Sequence, residues 1–86
     1  MNALANARDL FRAALIREEA ARQRGAVGFI ERRAVTTAGL AVVTEAARAA
    51  GLDPVRVEAQ VASSAAAVRD AAERLLAVSH LPEFEQ

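Results

Sequence analysis

Apolar positions recur along this chain at steps of three and four, the spacing that gathers side chains on one side of a helix. Leu4, Ala7, Phe11 and Ala14 form the first such stripe, with Leu10 and Leu15 flanking and widening it. No Gly or Pro interrupts the segment before Gly25. Asn2 has a side chain suited to cap the start, and Gly25 supplies the left-handed residue that ends helices. A helix over about residues 2–24 follows. Within it Glu18 stands four residues before Arg22, the favourable order for a surface ion pair.

The stretch Gly25-Ala26-Val27-Gly28 is a break, and the segment after it is less regular. Val35, Thr36, Thr37, Val42, Val43 and Thr44 are β-branched, with Gly39 among them. A lone strand would have nothing to pair with, so residues 29–50 are expected to be helical, as one piece or as two meeting near Thr36 or Thr37. Glycine inside a helix costs about 1 kcal/mol relative to alanine. Close approach of another helix is its usual justification, and Gly39 is read as a crossing point.

The segment Ala50-Gly51-Leu52-Asp53-Pro54 joins three signals at one corner. Gly51 ends one helix, Asp53 caps the next, and Pro54 takes its first position. Leu52 and Val57 stand where a hydrophobic staple places its two members. Beyond the corner, Val57, Val61, Ser64, Val68, Ala71, Leu75 and Val78 alternate steps of four and three. That heptad pattern predicts one long helix over about 54–78, with Ser63 and Ser64 as small packing residues. The fold class is therefore all-α: a small helical bundle whose two long helices, 2–24 and 54–78, pair beside a less regular middle helix. One domain over residues 1–81 is expected, then a short acidic tail at 82–86 that begins at Pro82.

Composition sharpens this picture. Of the apolar residues 23 are alanines, which contribute little burial each, and there is no Cys for a disulfide. A chain of 86 residues is marginal on its own core. Self-association into a homo-oligomer is the expected remedy, with Leu4, Phe11, Val57, Val61, Val68 and Leu75 as its seam. The net charge is zero but polarised. Residues 1–33 carry seven Arg against four acids (+3), and residues 34–86 carry four Arg against seven acids (−3). Such a dipolar chain can fold its halves together or dock head to tail with a copy. No charged leader precedes an apolar run, and no uncharged stretch is long enough to span a bilayer, so a cytoplasmic protein with no membrane partner is expected.

Catalysis requires a group that moves protons or a nucleophile beside a base. The chain has one His, His80, and neither Cys, Lys nor Tyr. Glu18, Glu19 and Glu31 lack the Glu-x-x-His pairs of a di-metal bundle. No catalytic residue, cofactor or metal site is expected.

Two features point to partners. Arg17, Arg22, Arg24, Arg32 and Arg33 surround the first turn; they suit solvated helix ends and also an anion or nucleic acid. Phe84, between Glu83 and Glu85, suits docking on a partner protein. Ala47, Gly51, Leu52 and Val57 stand in the relative positions of a small residue, a turn glycine and an apolar anchor, so residues 44–61 resemble a helix-turn-helix. That resemblance implies DNA association. The second helix, however, carries Asp53, Arg56 and Glu58 without net positive charge and is expected to run longer than a reading helix. Gly25-x-x-Gly28 after Arg24 resembles the clamp of KH domains, but without strands it is read as a turn.

The leading expectation is a non-enzymatic interaction and assembly module that self-associates and docks a partner protein. The alternative is a DNA-associated protein, using the 44–61 corner or arginines displayed on an oligomer. Small subunits of phage-type DNA-packaging complexes are similar in general organisation.

Overall fold

The computed structural model describes residues 2–25 and 28–77. Four helices follow in order: α1 (Ala3–Gln23), α2 (Phe29–Ala49), α3 (Pro54–Val61) and α4 (Ala65–Ala77). The protein is all-α, a small bundle in which the two long helices α1 and α2 pack against each other. Among the described residues no helix is long and apolar enough to cross a membrane.

The ends of α1 form as their residues dictate. The Asn2 side chain accepts hydrogen bonds from the Leu4 and Ala5 N–H groups at 3.0 and 3.1 Å. These satisfy two of the orphan donors of the first turn. At the other end Gly25 takes φ +71°. Five residues then separate α1 from α2, too few for anything but antiparallel neighbours.

The second helix runs unbroken through Thr36 and Thr37. The Thr36 hydroxyl donates to the Arg32 carbonyl at 3.1 Å, the internal bond by which threonine satisfies itself within a helix. At the start of α2 the Glu31 carboxylate accepts from the Gly28 N–H at 2.7 Å. At its end the Leu52 N–H reaches the Ala47 carbonyl at 2.8 Å and the Gly51 N–H reaches that of Arg48 at 3.1 Å, a Schellman closure. Gly51 has φ +76°, and the Asp53 carboxylate caps the Val55 N–H at 3.1 Å. Gly51, Asp53 and Pro54 take the positions that the sequence predicts.

The expected helix over 54–78 is two helices. Helix α3 ends at Val61, and the Ser64 Oγ accepts from the Ala67 N–H at 3.1 Å to start α4. Ser63 and Ser64 are exposed rather than small residues inside a helix. The reason is local: Ser64 offers its side chain to the backbone as a cap, and nothing on α3 is buried deeply enough to hold the helix straight. The pairing also differs from expectation. Helix α1 lies along α2, and α4 packs on α2.

The crossing is centred on Gly39. A Cβ there would stand 3.2 Å from Phe11 Cε1 on α1 and 3.3 Å from the Ala72 Cβ on α4. The absent side chain is what lets three helices meet. Leu4, Ala7, Phe11, Ala14, Val35, Val42 and Ala72 form the core around this point, with Leu15, Ala34, Ala46, Leu75 and Leu76 packed against it. Leu4, Phe11 and Val68 are thus buried inside the chain itself. Two polar links tie α4 to α1. Buried Arg8 donates from Nη2 to the Leu76 carbonyl at 3.1 Å. Arg69 grips Glu18 with both Nη atoms, at 2.7 and 3.0 Å.

Candidate functional site

The apolar stripe that the sequence shows on α1 is the inner face, already used. What remains for a partner lies on the outer side of the α1–α2 hairpin. Leu10 is 66% exposed, so it does not widen the buried stripe as expected; on the helical wheel it turns past Ala7 and Ala14 toward the open side. Phe29 and Ile30, at the start of α2, are 73% and 77% exposed. With Ala14, Ala34, Thr37, Ala38 and Ala41 they border a groove of about 590 Å³ that Arg17 and Arg33 also line.

The electrostatics of this end follow from which arginines find carboxylates. Arg12 pairs with Asp9, Arg48 with Glu45 and Arg74 with Asp70. Arg22 pairs with Glu18 and Glu19, and Arg69 with Glu18 and Glu73. Among the described residues Arg17, Arg24 and Arg32 have no carboxylate partner, and Arg33 lies over the Phe29 ring at 5.9 Å. The nearby acids are committed elsewhere. Glu31 caps Gly28, and Glu19 is held below the usual carboxylate range by the Gln23 amide and then by the Arg22 guanidinium. Of the arginines named from the sequence, Arg17, Arg24, Arg32 and Arg33 therefore leave uncompensated positive charge beside exposed Phe29 and Ile30. Arg22 is neutralised. Glu18, at 3% exposure, continues the spacing of Leu4, Ala7, Phe11 and Ala14 onto the inner face, so it is not the surface residue expected; its partner Arg69 was not visible in the sequence, because it depends on where α4 returns.

The other named residues are dispersed. Val57, Val61 and Leu75 are half-buried around a second groove of about 430 Å³, lined also by Val43, Ala46, Leu52 and Ala71. They do not continue in line with Leu4, Phe11 and Val68, so the six seam residues share no one surface. The helix-turn-helix-like corner forms with Ala47 buried, and α3 spans only eight residues, shorter than expected. Its one basic residue is Arg56. Phe84, Glu83 and Glu85, with Val78, His80 and the 82–86 tail, lie outside the described residues. Among the described residues no three metal-binding side chains cluster.

No known protein family, curated protein or solved structure matches this chain.

Proposed function

We propose that the protein is a non-enzymatic helical interaction and assembly module, which self-associates through the outer face of the α1–α2 hairpin. One observation carries this reading: Leu10, Phe29 and Ile30, three of the six exposed large apolar residues among the described residues, border one groove between the paired helices. Exposed apolar side chains are ordinary when scattered, but gathered on a groove they mark an association surface. The make-up of the core supports the same reading. Alanines supply five of its eleven buried apolar residues, Ala7, Ala14, Ala21, Ala47 and Ala72, so little apolar area is removed from water within one copy. Association adds burial where the single chain is short of it. A docked partner protein would use the same face.

The test is the solution mass by light scattering from micromolar to millimolar concentration, for wild type and for Leu10→Ser/Ile30→Ser. Mass above that of one chain, falling to one chain in the variant with unchanged helicity, is the expected result. A wild-type monomer throughout this range refutes the reading.

A second reading is association with DNA, favoured by the unneutralised Arg17, Arg24, Arg32 and Arg33. It places phosphate contacts on these four rather than on Arg56, with affinity falling steeply as salt rises. Unchanged duplex binding after all four are replaced by Gln, with binding lost in Arg56→Ala, would instead favour the 44–61 corner.

A further inference from the structure

The groove of about 430 Å³ between α2, α3 and α4 is lined by Val43, Leu52, Val57, Val61 and Leu75 among alanines, and Arg74 is the one charged residue on it among the described residues. Asp53 and Glu58, the acids of this corner, do not line it. Leu52 is 57% exposed and no residue of α3 is buried, so α3 presents an apolar side that the described residues leave half covered. Helix α4 ends at Ala77, two residues beyond Leu75, and the chain therefore leaves α4 at the edge of this groove. The sequence that follows is Val78-Ser79-His80-Leu81-Pro82-Glu83-Phe84-Glu85-Gln86. Its apolar residues Val78, Leu81 and Phe84 recur at steps of three, which sets them on one side of a chain with the three-residue turn of polyproline II. Pro82 favours that form in itself and in Leu81 before it.

We infer that residues 81–85 of the same chain are the occupant of this groove, with Leu81 and Phe84 on its apolar walls and Glu83 and Glu85 toward Arg74. The dimensions agree. Leu81 is within about 13 Å of extended chain from Ala77, and polyproline II carries the next three residues about 9 Å to Phe84. Along α2 the groove runs from Val43 to Ala50, about 10 Å at the helical rise. The charge agrees as well. Arg74 is held by Asp70 in a pair exposed on both sides, which binds it weakly, and no carboxylate lines the groove to repel Glu83 and Glu85. A segment tethered this closely acts at an effective concentration on the order of millimolar, ahead of any copy or partner present at micromolar levels. The hairpin groove takes no lining residue from α4, whereas this one takes Ala71, Arg74 and Leu75 from its last two turns. Seated there, the segment covers the open side of α3 and closes the groove to other chains, so the hairpin face is the apolar surface left for association.

Thiol alkylation at micromolar protein tests this, since the chain has no native cysteine. Leu52→Cys stands at the exposed edge of the groove. It is expected to react at least about threefold faster once Leu81→Ser/Phe84→Ser is added, because the thiol reacts when the segment lifts. Ile16→Cys, 70% exposed and outside this groove, is expected to be unchanged by the same pair of serines. A peptide of residues 78–86, added at millimolar concentration to the double-serine chain, is expected to restore the slow rate at Leu52→Cys. Circular dichroism checks that each chain is folded, and Val61→Cys, which also lines the groove, reads the same contrast if Leu52→Cys loses helicity. Equal rates with and without the serines overturn the inference. Protection that appears only as protein concentration rises places the segment on a neighbouring copy and overturns the seat within one chain.

Discussion

Replacing Arg69 by alanine removes the clamp that holds α4 to α1, and the structure allows its cost to be worked out. Arg69 meets Glu18 at 2.7 and 3.0 Å across 51 positions of sequence. The Glu18 side chain is 4% exposed, whereas that of Arg69 is 35% exposed. Breaking a buried pair by deleting one member typically costs about 3–5 kcal/mol, because the other charge is left buried. Here Arg22, 3.3 Å from Glu18 and half in solvent, keeps part of the compensation, so about 2–3 kcal/mol is expected. For a domain of this size each kcal/mol lowers the melting temperature by roughly 4–8 °C, so the variant is expected to melt about 10–20 °C below wild type. Thermal unfolding by far-ultraviolet circular dichroism, at one protein concentration for all variants, reads this directly. Arg74→Ala is the control, since its pair with Asp70 is exposed on both sides and worth under about 1 kcal/mol. Glu18→Leu/Arg69→Leu is expected to recover part of the loss by removing both charges together. If Arg69→Ala melts with Arg74→Ala, Glu18 is not buried against α4 and the placement of that helix is wrong.

Two further predictions concern the joints between helices. Gly51→Val is expected to destabilise by about 1–2 kcal/mol in denaturant titration, all of it from backbone strain, because φ is +76° and a Cβ would meet nothing within 4 Å. An unchanged midpoint would contradict the left-handed closure of α2. Ser64→Ala is expected to cost about 1 kcal/mol as the lost cap of α4. A neutral or stabilising effect would mean that α3 and α4 are continuous.

What the sequence discloses here is what short stretches of chain decide for themselves. The Gly51-Leu52-Asp53-Pro54 corner and the Asn2 cap are local, and both form as read. Gly39 was legible as a crossing because a mid-helix glycine requires a reason, although its partners, Phe11 and Ala72, were not. The break before Ser64 was masked by an unbroken alternation of steps, which a straight helix and two helices meeting at a serine cap satisfy equally well. The Ser63-Ser64 pair was the signal available. The site suffered more. Leu4, Phe11 and Val68 have the spacing of a seam whether the surface they meet belongs to the same chain or another, and only the path of α2 and α4 decides that. Once those residues are spent on the core, Leu10, Phe29 and Ile30 are left outside. Periodicity gave no means of separating Leu10 from Leu15, which flank the same stripe on opposite sides.

The outer face of the α1–α2 hairpin is the surface proposed for association. Because the chain has no native cysteine, single thiols can report on it without interference. Thr37→Cys places a thiol in the groove, and Ile16→Cys places one at a 70% exposed position outside it. The rate of thiol alkylation, measured from micromolar to millimolar protein, reports whether that face is covered. Thr37→Cys is expected to react progressively more slowly as concentration rises, while Ile16→Cys is unaffected. Protection at Ile16→Cys with none at Thr37→Cys would contradict it.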